Sequence, residues 1–228
     1  MTQEDQPKIK IRIESLSDLV FGLALSIGSI QLLSNQVHNL TDIVVNVLYF
    51  GFSFMILVFT WFGYSRTMTV LPAETRNALW INVVMLFLVA IEPYLFYVLV
   101  SSPTNDFAKF ASIPYAINVG ALFLTQAGLS RLVVVEDRQS KIEHKLHPAI
   151  IARSRRIFIS EVIVGILYLV SALPLSILRV PKPIGYSRFI IWYSSFGIFF
   201  VSRGAVRRSK RKEKISSVES NPSSQSAS

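Results

Sequence analysis

Arg12-Ile13-Glu14-Ser15-Leu16-Ser17-Asp18 runs without a break into the apolar stretch from Leu19 to Leu33. Five polar or charged side chains, Arg12, Glu14, Ser15, Ser17 and Asp18, therefore stand at the mouth of a hydrophobic segment. Charge is costly in lipid, so an Arg and an Asp six positions apart at such an entrance point to bonds with neighbouring protein. The plainer alternative is an interfacial anchor whose Arg snorkels to the headgroups. A cleavable leader is not expected, because the stretch follows a polar arm, lacks a small-residue cleavage pattern and keeps Asp18. The segment reads as the first of several membrane helices.

Composition agrees with that reading. Of 228 residues, 51% are hydrophobic and 16% charged, and the mean hydropathy is +0.47. This is too apolar and too thinly charged for a soluble domain of the same size. With no Cys, and with His38, His144 and His147 scattered, neither disulfides nor a metal constellation is expected. A net charge of +9 could suit nucleic acid, but the basic residues lie between and after apolar stretches, where they orient a chain in a membrane. Nucleic acid is not an expected partner.

Working outward, six stretches approach the roughly 20 residues of a spanning helix: Ser17 to Leu33, Ile43 to Tyr64, Ala78 to Val100, Ile113 to Ser130, Ile157 to Leu178 and Ile184 to Ser202. The sixth is weakest, since Arg188 and Arg203 must snorkel at its ends. The fold class expected is all-α, an integral membrane six-helix bundle. With the N-terminus inside, 19 of the 23 basic residues fall on the cytoplasmic side, which puts both termini there, in the cell membrane. Residues 1–11 form a cytoplasmic arm, 12–206 the six-helix domain, and 207–228 a tail first basic and then Ser-rich. That tail is expected to be disordered and to touch anionic lipid. The first part of the basic linker from Glu136 to Arg156 is expected to continue the fourth helix.

The opening stretch resembles the Arg-x-x-x-Phe-Ser-Asp motif of the transmembrane protein 175 family of potassium channels, with Leu16 in place of Phe. Further on, Tyr49, Ser53, Phe54 and Trp61 resemble the family's second span, and Leu79, Trp80, Asn82, Phe87 and Pro93 its third. The likeness covers residues 12 to about 94. Two departures stand out. A His pair often found after Trp61 is replaced by Gly63 and Tyr64, so a network built on imidazoles must use the Tyr64 hydroxyl or be absent. An acid often found near the end of the first span is Gln31.

The resemblance implies a function. On a helix, Leu19, Leu23, Ser26 or Ile27, and Ile30 share one stripe. Taken alone, that stripe is better read as helix packing, and only the resemblance reverses the preference. In the family the first helix lines the pore and bulky aliphatic side chains form the constriction, which makes Leu23, Ser26, Ile27 and Ile30 the candidate pore and gate residues. The expected permeant ion is K⁺ and no cofactor is expected. The chain carries one six-helix unit, so a homotetramer around a central pore is implied. Arg12, Leu16, Ser17 and Asp18 form the candidate motif network, with Trp80 and Asn82 as candidate partners on the third span. A Thr-Val-Gly-Tyr-Gly filter is absent from the sequence.

Other polar residues have bland readings. Glu92 either attracts cations or senses pH, or, on the plainer reading, pairs with Arg179, Lys182 or a helix terminus at the outer interface. Glu161 is expected to answer the run Arg153 to Arg156, and Asn46, Asn118 and Gln126 to bond between helices. The competing functions are a secondary transporter, for which only Glu92 offers a midplane ionisable group, and a non-conducting assembly protein. An enzyme is not expected, because no nucleophile–base pair falls within the spans.

Overall fold

In a bilayer core, backbone N–H and C=O groups must be satisfied within the segment, which leaves the helix as the open-chain solution. The computed structural model describes residues 6–34, 39–71, 76–101, 105–139, 148–173, 191–195 and 197. Five long helices account for nearly all of them: α1 (Gln6–Ser34), α2 (Leu40–Val70), α3 (Arg76–Val100), α4 (Asn105–Gln139) and α5 (Pro148–Ala172). Residues 191–195 are helical as well. Among the described residues, four helical segments are long and apolar enough to cross a membrane: Lys10–Gln31, Leu40–Val70, Asn77–Val100 and Phe110–Val135. α5 is not one of the four: it opens with Arg153, Arg155 and Arg156, and the apolar stretch after them is described only to residue 173. Most of the expected sixth span, Arg179, Lys182 and the tail 207–228 lie outside the described residues.

The helices outrun the spans expected from hydropathy. α1 begins at Gln6, so much of the expected polar arm is its first turns. α4 runs on to Gln139, which carries the first part of the basic linker as helix. α2 starts on a local signal: Asn39 accepts the Asp42 amide at 2.8 Å, and the acid at Asp42 favours the same terminus. It ends at Leu71, whose N–H bonds Thr67 O, with Pro72 next in sequence.

Two cores are stacked along the bundle. The first joins Phe21 and Ala24 of α1 to the C-terminal half of α2, the N-terminal half of α3 and the C-terminal half of α4. The second joins the opposite halves of α2, α3 and α4 to α5 and Trp192. Successive helices therefore alternate in direction. α1 packs on α2 and α3, while α4 lies between α3 and α5. The α4–α5 crossing is close because both helices present glycine: a Cβ on Gly120 would stand 3.0 Å from Gly165 O, and one on Gly165 3.1 Å from Gly120 O. Small residues at a membrane helix crossing let backbones approach and gain dispersion contact.

Candidate functional site at the first helix

α1 divides into two faces. Ser17, Phe21 and Ala24 are buried, with Ile13, Val20 and Leu25 partly buried beside them. On the other face Arg12 is exposed and the apolar side chains of Leu16, Leu19, Leu23, Ile27 and Ile30 are open to the surroundings, Leu23 at 53% and Ile30 at 63%. Spacings of three and four keep this second set on one stripe. All four candidate pore residues, Leu23, Ser26, Ile27 and Ile30, lie on the exposed side. Ser26 donates to Gly22 O at 2.8 Å and Ser29 to Leu25 O at 2.9 Å. Their hydroxyl protons are directed back into the helix, which leaves oxygen lone pairs facing outward.

The buried face is tied to α2. Ser17 Oγ donates to Ile13 O at 2.8 Å and shares a 2.6 Å hydrogen bond with the Tyr64 hydroxyl. Phe21, one turn on, lies against the Tyr64 ring with centroids 6.0 Å apart. Trp61 Nε1 donates to Asp18 Oδ1 at 2.8 Å, a bond strengthened by the carboxylate charge. Trp61 and Tyr64 sit three apart on α2 and so meet the adjacent pair Ser17 and Asp18. The Tyr64 hydroxyl thus supplies a bond to Ser17 without any imidazole in that stretch of α2.

Three parts of the expected network fall elsewhere. Trp80 is 61% exposed and Asn82 is buried on α3, and among the described residues neither is bonded to Ser17 or Asp18. Arg12 has no hydrogen bond or ion pair among the described residues. The cation that ties α1 to its neighbour is Lys10, whose Nζ reaches Thr69 O at 3.3 Å and Leu71 O at 3.4 Å. These carbonyls lie at the C-terminus of α2, the negative end of its dipole. Lys10 lies just outside the motif, and its role depends on where α2 ends.

The remaining polar residues also find partners that sequence reasoning had not paired. Glu92 is fully buried, and its carboxyl group accepts from Ser53 at 2.9 and 3.1 Å and from Tyr115 at 3.3 Å. An outer-interface pairing with Arg179 or Lys182 concerns residues outside those described, and Glu92 itself stands inside the bundle. Glu161, also buried, accepts from Ser130 across the α4–α5 seam at 2.9 Å. Asn118 donates to Leu88 O at 3.1 Å, joining α4 to α3 as a bundle contact. Gln126 is the exception: it fills the space that a side chain on residue 63 would need, and its buried amide has no hydrogen-bond partner among the described residues, so the expected bond between helices is not made there.

Residues 12–93 match the family model described as the endosomal/lysosomal potassium channel TMEM175. The match begins at Arg12 and ends at Pro93, the stretch over which the motif resemblance was read. No curated protein and no solved structure matches the chain.

Proposed function

On the premise that residues 12–93 are built as in a potassium channel family, we propose that the chain is the subunit of a membrane channel that conducts K⁺ passively. The observation that supports this best is the exposed stripe of α1. A helix with one face locked into its own subunit and an aliphatic face left open is suited to meet copies of itself around an axis. Four subunits would suit the single unit per chain, with cyclic symmetry closing the assembly.

In that assembly Leu23, Ile27 and Ile30 form rings that exclude water and close the path, and dilation of the rings opens it. Ser26 presents a hydroxyl oxygen between them, able to replace part of an ion's hydration shell. A large, weakly hydrated ion is stripped at lower cost than a small one, so K⁺ is favoured over Na⁺ to a modest degree. Ser17, Asp18, Trp61 and Tyr64 hold α1 against α2 and fix its rotation, which makes them positioning residues for the gate. The reading has both termini in the cytoplasm of the cell-membrane protein, K⁺ as the permeant ion, no cofactor and no catalytic residues. The basic tail meets anionic lipid, and nucleic acid is not a partner.

The test is a planar-bilayer recording of the purified oligomer under a K⁺/Na⁺ gradient. Unitary steps that reverse towards the potassium equilibrium potential are expected. Silence from a verified oligomer, or slow coupled flux in liposomes, would overturn the channel reading in favour of an assembly protein or a transporter.

A further inference from the structure

Glu92 is a carboxyl group with no exposure, placed immediately before Pro93 in α3 and surrounded by four other elements. α2 supplies Ser53, which donates to both carboxyl oxygens, and α4 supplies Tyr115, which donates to one. α5 contributes Tyr168 and the helical segment 191–195 contributes Tyr193, each within electrostatic reach of the cluster. Around these hydroxyls the packing is aromatic: Trp192 lies 5.3 Å from the Tyr115 ring and 5.8 Å from the Tyr168 ring, and Phe96 lies 5.7 Å from Tyr115. Among the described residues no Lys, Arg or His is bonded to the carboxyl group. The α1 stripe makes no use of it.

An ionised carboxylate in such surroundings costs several kcal/mol even after relaxation, and two hydroxyl donors offset only part of that. A monovalent metal ion would need oxygens spread around a cavity, yet both donors already touch the carboxyl oxygens at hydrogen-bond distance. The remaining way to neutralise the group is a proton. A second observation fits: Tyr168 OH is buried and has no hydrogen-bond partner among the described residues, which leaves an oxygen in the same cluster able to accept.

We propose that Glu92 is a proton-binding site inside the bundle, with Ser53, Tyr115 and Tyr168 as its hydroxyl shell. The carboxyl O–H bond forms on one carboxyl oxygen while the other keeps accepting from Ser53 and Tyr115. The proton exchanges with water when the junction of α2, α3 and α4 parts, so its occupancy reports the packing of that junction. The site stands on the bundle geometry and is independent of conduction.

Infrared difference spectroscopy of the full-length protein in lipid bilayers tests it, through the C=O stretch of a protonated carboxyl group. The band is expected in the unsubstituted protein at neutral pH, lost in Glu92→Gln, and shifted in Ser53→Ala, Tyr115→Phe and Tyr168→Phe. Absence of the band, or its survival unchanged in Glu92→Gln, overturns the proposal. Should Glu92→Gln fail to fold, the hydroxyl variants decide, since each retains the carboxyl group: an unmoved band in all three overturns it. A protein that shows the band and carries no current would sink the channel reading and leave this site standing.

Discussion

At the scale of single residues, the two adjacent polar positions that end the motif act on different partners. Ser17 meets Tyr64 through a neutral hydroxyl pair, whereas Asp18 meets Trp61 through a charge-assisted bond. Net cross-helix bonds between neutral groups in membrane proteins are worth about 0.6 kcal/mol on average, and bonds to charged groups about 1.5–3 kcal/mol. Tyr64→Phe is therefore expected to cost less than Trp61→Phe, measured as denaturant unfolding of the purified protein in detergent. The reverse order would show that Asp18 is satisfied by water or a headgroup. At Leu23, removal of the side chain acts on the proposed gate: Leu23→Ala is expected to raise resting current in bilayer recordings, and unchanged current with normal assembly would remove Leu23 from that role. Asp18→Asn is expected to disturb assembly or gating and to leave the reversal potential under a K⁺/Na⁺ gradient nearly in place. A large shift of that potential would instead put Asp18 in the ion path.

Helices are where the glycines matter. At the α4–α5 crossing a new Cβ on Gly120 would stand 2.9 Å from Leu169 Cγ, while one on Gly128 would stand 3.6 Å from Ile81 Cδ1, an ordinary contact. Overpacking of a tight interface costs about 1–3 kcal/mol. Gly120→Val or Gly165→Val is expected to lower the yield of folded protein, and Gly128→Ala to leave it unchanged, by size-exclusion profile in detergent. Equal tolerance at all three positions would mean that the crossing is looser than described. Part of the elements was legible in the sequence: apolar stretches marked the four membrane-capable helices, and the departure at Gly63–Tyr64 left open the Tyr64 hydroxyl bond to Ser17 that the structure contains, whereas the ties expected from Trp80 and Asn82 are not made among the described residues. The ends were not legible, because hydropathy marks the lipid-crossing part of a helix and says little about its extension into water. α1 begins at Gln6 and α4 at Asn105, both ahead of the expected spans, while the run of α4 into the basic linker was expected.

For the whole molecule, the contrast between faces of different helices carries the argument. α1 exposes Leu16, Leu19, Leu23, Ile27 and Ile30, and α5 exposes Ile159, Ile163, Ile166 and Val170. Both stripes are apolar, so composition alone does not separate a face that meets other subunits from one that meets lipid. Because the chain contains no Cys, single-cysteine variants can separate them. Ile30→Cys is expected to give disulfide-linked dimers within the oligomer on mild oxidation, and Ile163→Cys to remain monomeric on a non-reducing gel. Cross-linking through α5 and none through α1 would reverse the assignment of the pore helix.

By itself the sequence determined that the chain is helical, that it has stretches apolar enough to cross a membrane, and which family's motif its opening resembles, because periodicity, hydropathy and charge placement are properties of residue order. The tertiary structure decided the partners. Ser17 and Asp18 look to α2, with Trp80 left exposed, Lys10 takes the anchoring place expected of Arg12, and Glu92 closes on Ser53 and Tyr115 inside the bundle. Each of these depends on how far one helix is rotated and shifted against another. That rotation is set by the packing of many apolar side chains at once, and no local motif encodes it.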